Sequence, residues 1–561
     1  MSERFTHPAG YQSSVVTVAD HEYAAVSEGR IRIRIGAFMF VFMMAIIVIR
    51  LAETSLFTKR ATGSELPQAI TTTRADITDR NGEVLATTLQ TYSLYAEPRK
   101  VWNATETTDK LVSALPELDA AEVLDSLSSD RAFKWIARGL TPKERQAVFS
   151  LGLPGLDFRR EPKRVYPRGA LAAHILGYSD TDMKGLSGVE KAFDDALSID
   201  NAPPKALSID MRTQYALADT LRQDMALFQA NSAAGVVLDI KTGEIIAMVS
   251  MPDYDPNAPG AALPENRYNH AAMSTYELGS VFKPITMALA LETKTSTLTE
   301  TFPVQKPFKV SIKYIRDDHK SDEPLAMPEI IAQSSNRGTA MMALKAGADA
   351  QKALYKDLGL FDRVPYELAE SAMPQVQSTW PDLTVATTSY GHGISVTPLA
   401  LAVATGAMLN GGNYIAPTIL RRDAANPIKT RRVLTKETSQ SVTDLMRYVV
   451  TNGTGRNARA DGYGVMGKTG TADKPAIGGY DERRLVTSFI SGFPYSDPRY
   501  VVMITYDEPK ALPTDWGYAT AGWNAAKTTK KVITRIGPIL GVKRHLPVMA
   551  QSEFMTKGAL P

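Results

Sequence analysis

No cysteine occurs anywhere in the 561 residues, which excludes disulfides, thiolate metal sites and a thiol nucleophile. Histidine is nearly as scarce: seven are scattered along the chain without a His-x-x-x-His pair in a helical context, so no metal centre and no cofactor is expected. Neither sign of charge dominates. With 63 Lys plus Arg against 60 Asp plus Glu, the balance gives no footprint for nucleic acid. Internal repeats and low-complexity tracts are missing too, and a chain of this length has room for roughly two to four domains.

Long hydrophobic runs are absent with one exception, Ile35 to Ile49, preceded by Arg30, Arg32 and Arg34 and closed by Arg50. The run falls short of the roughly 18 to 20 residues that cross a bilayer. Ile31 and Ile33 extend it on one side, and Leu51 and Ala52 on the other if Arg50 snorkels to the interface. A single-pass anchor over residues 31–52 is the expectation, over a buried core helix or a cleaved signal peptide. The acid-containing stretch before the run, and the lack of a small-x-small site after it, disfavour the signal peptide. The arginine cluster places residues 1–30 in the cytoplasm and the bulk of the chain across the membrane.

Past the anchor, residues 53–72 are polar and read as a linker. Arg74 to Ala86 reads as a strand, an Asn-Gly turn and a second apolar run. Ala104 to Gln146 has helical spacing divided at Pro116 and Pro142, and Phe158 to Phe193 looks irregular. Residues 53–225 are therefore expected to form an elongated, β-rich, non-catalytic pedestal. The texture then changes. Ala233 to Ser250 predicts a hairpin, the chain around Ser280 opens a helix, and Val486 to Phe493 and Tyr500 to Tyr506 predict strands. An α+β domain over residues 226–540, with an antiparallel sheet flanked by helices, is the expectation, followed by a tail at 541–561.

Three short motifs in that second part carry chemistry: Ser280-Val281-Phe282-Lys283, Ser334-Ser335-Asn336 and Lys468-Thr469-Gly470-Thr471. At average composition roughly two Ser-x-x-Lys matches would arise by chance in such a chain. Here there is one, and Ser-x-Asn is also unique. A second Lys-Thr-Gly, Lys241-Thr242-Gly243, sits between two apolar runs and reads as their turn. Each motif alone has a bland reading as a helix cap, a solvated lysine or a turn. The ordered trio does not.

A serine hydroxyl needs a base, and a lysine three residues later at a helix start shares its face. Lys283 can take the Ser280 proton only when neutral, which requires burial or a neighbouring cation; Lys468 is a candidate for that cation. Ser334 would relay protons, and Asn336 would hold Lys283 and a substrate amide. Gly470 leaves a strand edge bare for an added peptide strand, with Lys468, Thr469 and Thr471 meeting a terminal carboxylate. The N–H groups of Ser280 and Thr471 would form the oxyanion hole.

A rival lies in the same letters. Gly462 to Thr469 fits the phosphate-loop pattern G-x-x-x-x-G-K-T. A phosphate loop must follow an apolar strand and open a helix, however, and Thr451 to Asp461 is polar while Gly470 to Gly479 is rich in glycine.

The trio is a known signature of the serine β-lactamases and penicillin-binding proteins, and the chain as a whole resembles a class B penicillin-binding protein. The resemblance runs from the RADITDRNG opening at Arg74 through Arg164 to Tyr178, Gly185 to Glu190 and Ser208-Ile209-Asp210 to Ser389-Tyr390-Gly391-His392-Gly393 and Val396 to Leu399. Leu278 and Ala75 stand where the family usually has Pro and Gly. The resemblance implies a membrane-anchored peptidoglycan DD-transpeptidase, most like the septal branch, with the elongation branch as the alternative. It implies catalysis by Ser280, Lys283, Ser334, Asn336 and Lys468, and substrate binding by Thr469, Gly470 and Thr471. Its implied ligands are peptidoglycan stem peptides, the lipid-linked precursor and β-lactams; its implied partners are membrane-embedded division proteins including a polytopic glycosyltransferase. A β-lactamase or an inactive β-lactam sensor would share the trio, but a secreted hydrolase needs neither a pedestal nor an anchor, and intact Ser280, Lys283 and Lys468 argue against inactivity. His392 reads as a satisfied loop histidine.

Overall fold

The computed structural model describes residues 36–48, 74–423, 425–476 and 479–545. The chain divides into two compact units, residues 1–70 and 71–561. In the first, residues 36–48 form a helix with an exposed apolar surface, and the rest of the expected anchor lies outside the described residues. Among the described residues no helix is long and apolar enough to cross a membrane.

The second unit begins with a five-stranded sheet built on one long strand, Val84–Ala96. It pairs antiparallel with Ile77–Thr78, Lys134–Leu140 and Leu156–Val165, and Ile77–Thr78 in turn pairs parallel with Lys205–Ala206. The Asn-Gly turn forms because Asp79 Oδ1 accepts the N–H groups of Asn81 and Glu83. Two expectations need correction here. The stretch read as all helical contains three helices, Ala104–Ala114, Ala120–Leu127 and Pro142–Phe149, with the strand Lys134–Leu140 inserted among them. Pro142 starts the third helix, where its missing N–H costs nothing, and Thr141 and Glu144 close a capping box around it. The stretch read as irregular opens with a ten-residue strand, Leu156–Val165, mostly half-buried. Its sequence LDFRREPKRV shows little apolar alternation, and its register comes from the partner strand.

The second sheet has the order Met466–Ala476, Gly479–Phe493, Tyr500–Asp507, Ser232–Asp239, Glu244–Met251, all neighbours antiparallel. The expected hairpin therefore docks beside strands from the far end of the chain. Alternation sorts the two faces. Val236, Leu238, Val501 and Met503 point into one core with the wholly buried helix Pro398–Leu409 and the helix Lys283–Glu292. Val237, Val502 and Ile504 point into another with the helices Met211–Phe228 and Ala525–Ile539. The first core also contains Ala75, Ile77, Leu85 and Leu207, so it runs unbroken beneath the first sheet and the second.

Candidate active site

Ser280 lies in a single 3-10 turn, Gly279–Phe282, that leads directly into the helix Lys283–Glu292. Three glycines press this turn into place. A Cβ on Gly279, which has φ +60°, would stand 2.8 Å from the Thr471 carbonyl oxygen. One on Gly391 would stand 2.2 Å from the Gly279 oxygen, and one on Gly470 would stand 2.4 Å from the Leu278 oxygen. Gly470 thus permits close packing of its strand on the serine turn, a constraint additional to the open strand edge foreseen from the sequence. Met466–Ala476 is the outermost strand of its sheet and pairs on one side only.

Lys283, Ser334 and Lys468 meet at the Ser334 hydroxyl. Ser334 ends the helix Met327–Gln333 in the left-handed region at φ +62°, which turns both its carbonyl and its hydroxyl toward Lys283. Lys283 Nζ donates to the Ser334 carbonyl and, at 3.0 Å, to Ser334 Oγ. Lys468 Nζ donates to the same Oγ at 3.0 Å and to the carbonyl and hydroxyl of Thr469. Both lysines have no solvent exposure. Burial therefore depresses both amines: Lys283 falls to about 7 against the upward pull of Asp317 and Asp318, and Lys468 falls well below its ordinary value through burial, with the Lys283 charge adding to it. Burial, and not a charged Lys468, is what lowers the Lys283 amine.

Other expected residues take different positions. Among the described residues Ser280 Oγ makes no hydrogen bond, since the Lys283 amine is drawn to Ser334. Asn336 Nδ2 donates to the Arg316 carbonyl and not toward Lys283. Thr471 Oγ1 accepts the N–H of Ala521. The phosphate-loop reading fails on geometry, because Lys468 and Thr469 lie inside the strand Met466–Ala476 and open no helix.

Sequence reasoning passed over three residues, and set aside a fourth, that pack around these motifs. Asp317 accepts the Ser335 hydroxyl at 2.7 Å and the Arg337 N–H at 2.9 Å, fixing the start of the helix Asn336–Ala346. Thr454 shares a hydrogen bond of 2.8 Å with Thr469 Oγ1. Glu277 accepts the Gly393 N–H and the Tyr480 hydroxyl. His392, set aside as a satisfied loop residue, has a buried Nδ1 with no partner. Only the proximity of Glu277 to Ser280 was visible as a signal; the other contacts close over distances that no local pattern records.

Residues 233–534 match the penicillin binding protein transpeptidase domain, and residues 69–201 match the penicillin-binding protein dimerisation domain. The chain is 41% identical over 536 residues to a probable peptidoglycan D,D-transpeptidase FtsI of Caulobacter vibrioides, covering 93% of this chain and 91% of that one. It is 33% identical to a probable peptidoglycan D,D-transpeptidase PenA of Neisseria gonorrhoeae, covering 86% and 87%, and 29% identical to the peptidoglycan D,D-transpeptidase FtsI of Escherichia coli, covering 79% and 80%. A peptidoglycan synthetase from Bifidobacterium adolescentis shares the fold, with a TM-score of 0.66 at 19% identity over 85% of this chain and 97% of that one. On the match of its two domains, in this order and along nearly its whole length, the chain belongs to the class B penicillin-binding proteins.

Proposed function

We infer that the protein is a serine DD-transpeptidase of the septal type that cross-links peptidoglycan stem peptides. The observation that carries the chemistry is the shared Ser334 hydroxyl, which accepts from two buried lysine amines while Ser280 stands free beside them. Neutral Lys283 takes the Ser280 proton as Oγ attacks the carbonyl between two terminal D-alanines. Since Lys283 and Lys468 both donate to Ser334 Oγ, the hydroxyl's own proton is free to pass to the departing D-alanine amine, and Lys283 hands the proton it took from Ser280 to Ser334 in its place. The C–N bond breaks, and the acyl group remains on Ser280 as an ester until an amine of a second stem peptide displaces it. The open side of Met466–Ala476 offers a strand edge to the donor peptide, and Thr469 and Thr471 offer hydroxyls to its carboxylate. β-Lactams, as mimics of that terminus, would be trapped on Ser280.

The proposed arrangement in the cell is a cytoplasmic tail, an anchor at residues 31–52, and a pedestal and catalytic domain beyond the inner membrane. It is supported by the arginine-flanked apolar run and by the likeness to peptidoglycan D,D-transpeptidases along most of the chain. Membrane-embedded division proteins would be its partners. Mass spectrometry of the full chain after exposure to a labelled penicillin tests the chemistry. A slowly lost adduct on Ser280, absent from Ser280→Ala, is expected. Rapid turnover of the adduct would indicate a β-lactamase instead, and no adduct would defeat the acyl-enzyme.

A further inference from the structure

Three residues before Ser280 stands Glu277, a carboxylate that the mechanism above does not use. Its Oε1 accepts the Gly393 N–H at 2.8 Å and the Tyr480 hydroxyl at 3.3 Å. Its Oε2 is shut from solvent and has no hydrogen-bond partner. His392, beside Gly393, packs its ring against Tyr390 at 5.3 Å and Tyr480 at 5.7 Å, and its Nδ1 is equally buried and unpartnered. Leaving such atoms unpaired is unfavourable, so the arrangement lacks a partner that a ligand could bring.

The cluster is fastened to the nucleophile's own turn. Gly279 N–H donates to the Gly391 carbonyl, and Tyr480 lies on the strand hydrogen-bonded to the one that carries Lys468. Burial, and after it the Lys283 charge, holds the His392 ring below its usual range. Burial also raises the Glu277 carboxyl above its usual range, which suits a group that must hold a proton. On the lysine side the site supplies two amines; here it offers a carboxylate, an imidazole nitrogen and a phenol.

We propose that Glu277, with His392 and Tyr480 around it, is the acceptor subsite, whose carboxylate receives the ammonium group of the second stem peptide and takes one of its protons. This rests on the transpeptidase reading. The freed amine attacks the Ser280 ester, so a C–N bond forms and the C–O bond to Ser280 breaks. A second proton leaves nitrogen as the amide forms and returns, through Lys283, to Ser280 Oγ. Of the three ammonium protons, one stays on the amide.

The test uses the detergent-solubilised full chain, a thioester donor ending in D-alanine, and added D-alanine as the amine. Its readout is the partition of the acyl-enzyme between water and amine. Glu277→Gln keeps the neighbours' hydrogen bonds but removes the charge, and is expected to retain penicillin acylation and thioester hydrolysis while the aminolysis-to-hydrolysis ratio falls about tenfold or more. Tyr480→Phe, a half-exposed position that disturbs packing least, is expected to lower the same ratio by about threefold. An unchanged ratio in both variants, or an equal fall in acylation, hydrolysis and aminolysis, would overturn the subsite and leave Glu277 a brace for the serine turn. Failure of the unaltered protein to form any acyl-enzyme would overturn the transpeptidase reading and this inference with it.

Discussion

Lys283, the base proposed above, illustrates how little of such a role resides in the side chain itself. The same amine on a surface would be protonated far above neutrality, whereas complete burial brings it to about 7. The active form is the neutral one, so the acylation rate is expected to climb as pH rises through about 7 and then to level off; a stopped-flow penicillin titration at several pH values measures this. A flat profile between pH 6 and 8 would reject Lys283 as the base. Replacement by alanine is expected to abolish acylation while leaving the circular dichroism spectrum intact. The depressed amine also carries a stability signature. Between the folded value near 7 and the usual lysine range the unfolded chain binds the extra proton, so stability rises with pH across that window. Ser280, Lys283, Ser334 and Lys468 were legible in sequence because their spacing is local or their motif is rare. Glu277, Asp317 and Thr454 were not, because a lone Glu, Asp or Thr has no pattern until the chain brings it to a partner.

At the level of elements, the serine turn is held by an absence of side chains. Gly470→Ala would drive a methyl to within 2.4 Å of the Leu278 oxygen, and backbone cannot yield as a flexible side chain does. Acylation is expected to fall by about a hundredfold or more, with the loss of stability confined to about 1–3 kcal/mol, as read by penicillin labelling and thermal melting. The helix Asn336–Ala346 poses the complementary case. Asp317→Ala removes two hydrogen bonds from its first turn, and is expected to cost about 1–2 kcal/mol and to slow acylation by loosening Ser334. Unaltered melting would show that Ser335 caps the helix unaided. The legibility of elements followed burial. Strands of the second sheet declared themselves through unbroken apolar runs such as AAGVVLD, while Leu156–Val165, charged along much of its length, takes its conformation from a partner more than sixty positions away in sequence.

For the molecule as a whole, the strongest polar tie in the first half is a buried cluster around Glu190. Its two carboxylate oxygens accept from Arg74 at 2.5 Å and Arg164 at 2.7 Å, all three side chains being nearly inaccessible. Glu190→Ala would strand two guanidinium groups in the interior, and a loss of roughly 3–5 kcal/mol in chemical denaturation is expected. A loss below about 1 kcal/mol would mean that Asp194 and backbone carbonyls satisfy the arginines alone. A change in composition near residue 225 suggests two modules, but composition says nothing about which apolar residues share a core. The first core, in which Ile77 and Leu85 lie with Val236 and Leu238, joins segments that the sequence alone assigns to different modules. Such a shared interior ties inheritance to architecture: the two halves cannot be exchanged piecemeal between relatives, because a foreign first half would bring the wrong shapes to the floor beneath the catalytic sheet. Recombination within this lineage should therefore preserve crossovers that keep residues 74–209 with their matching sheet, and hybrids joined near residue 225 should melt early even when every catalytic motif is present.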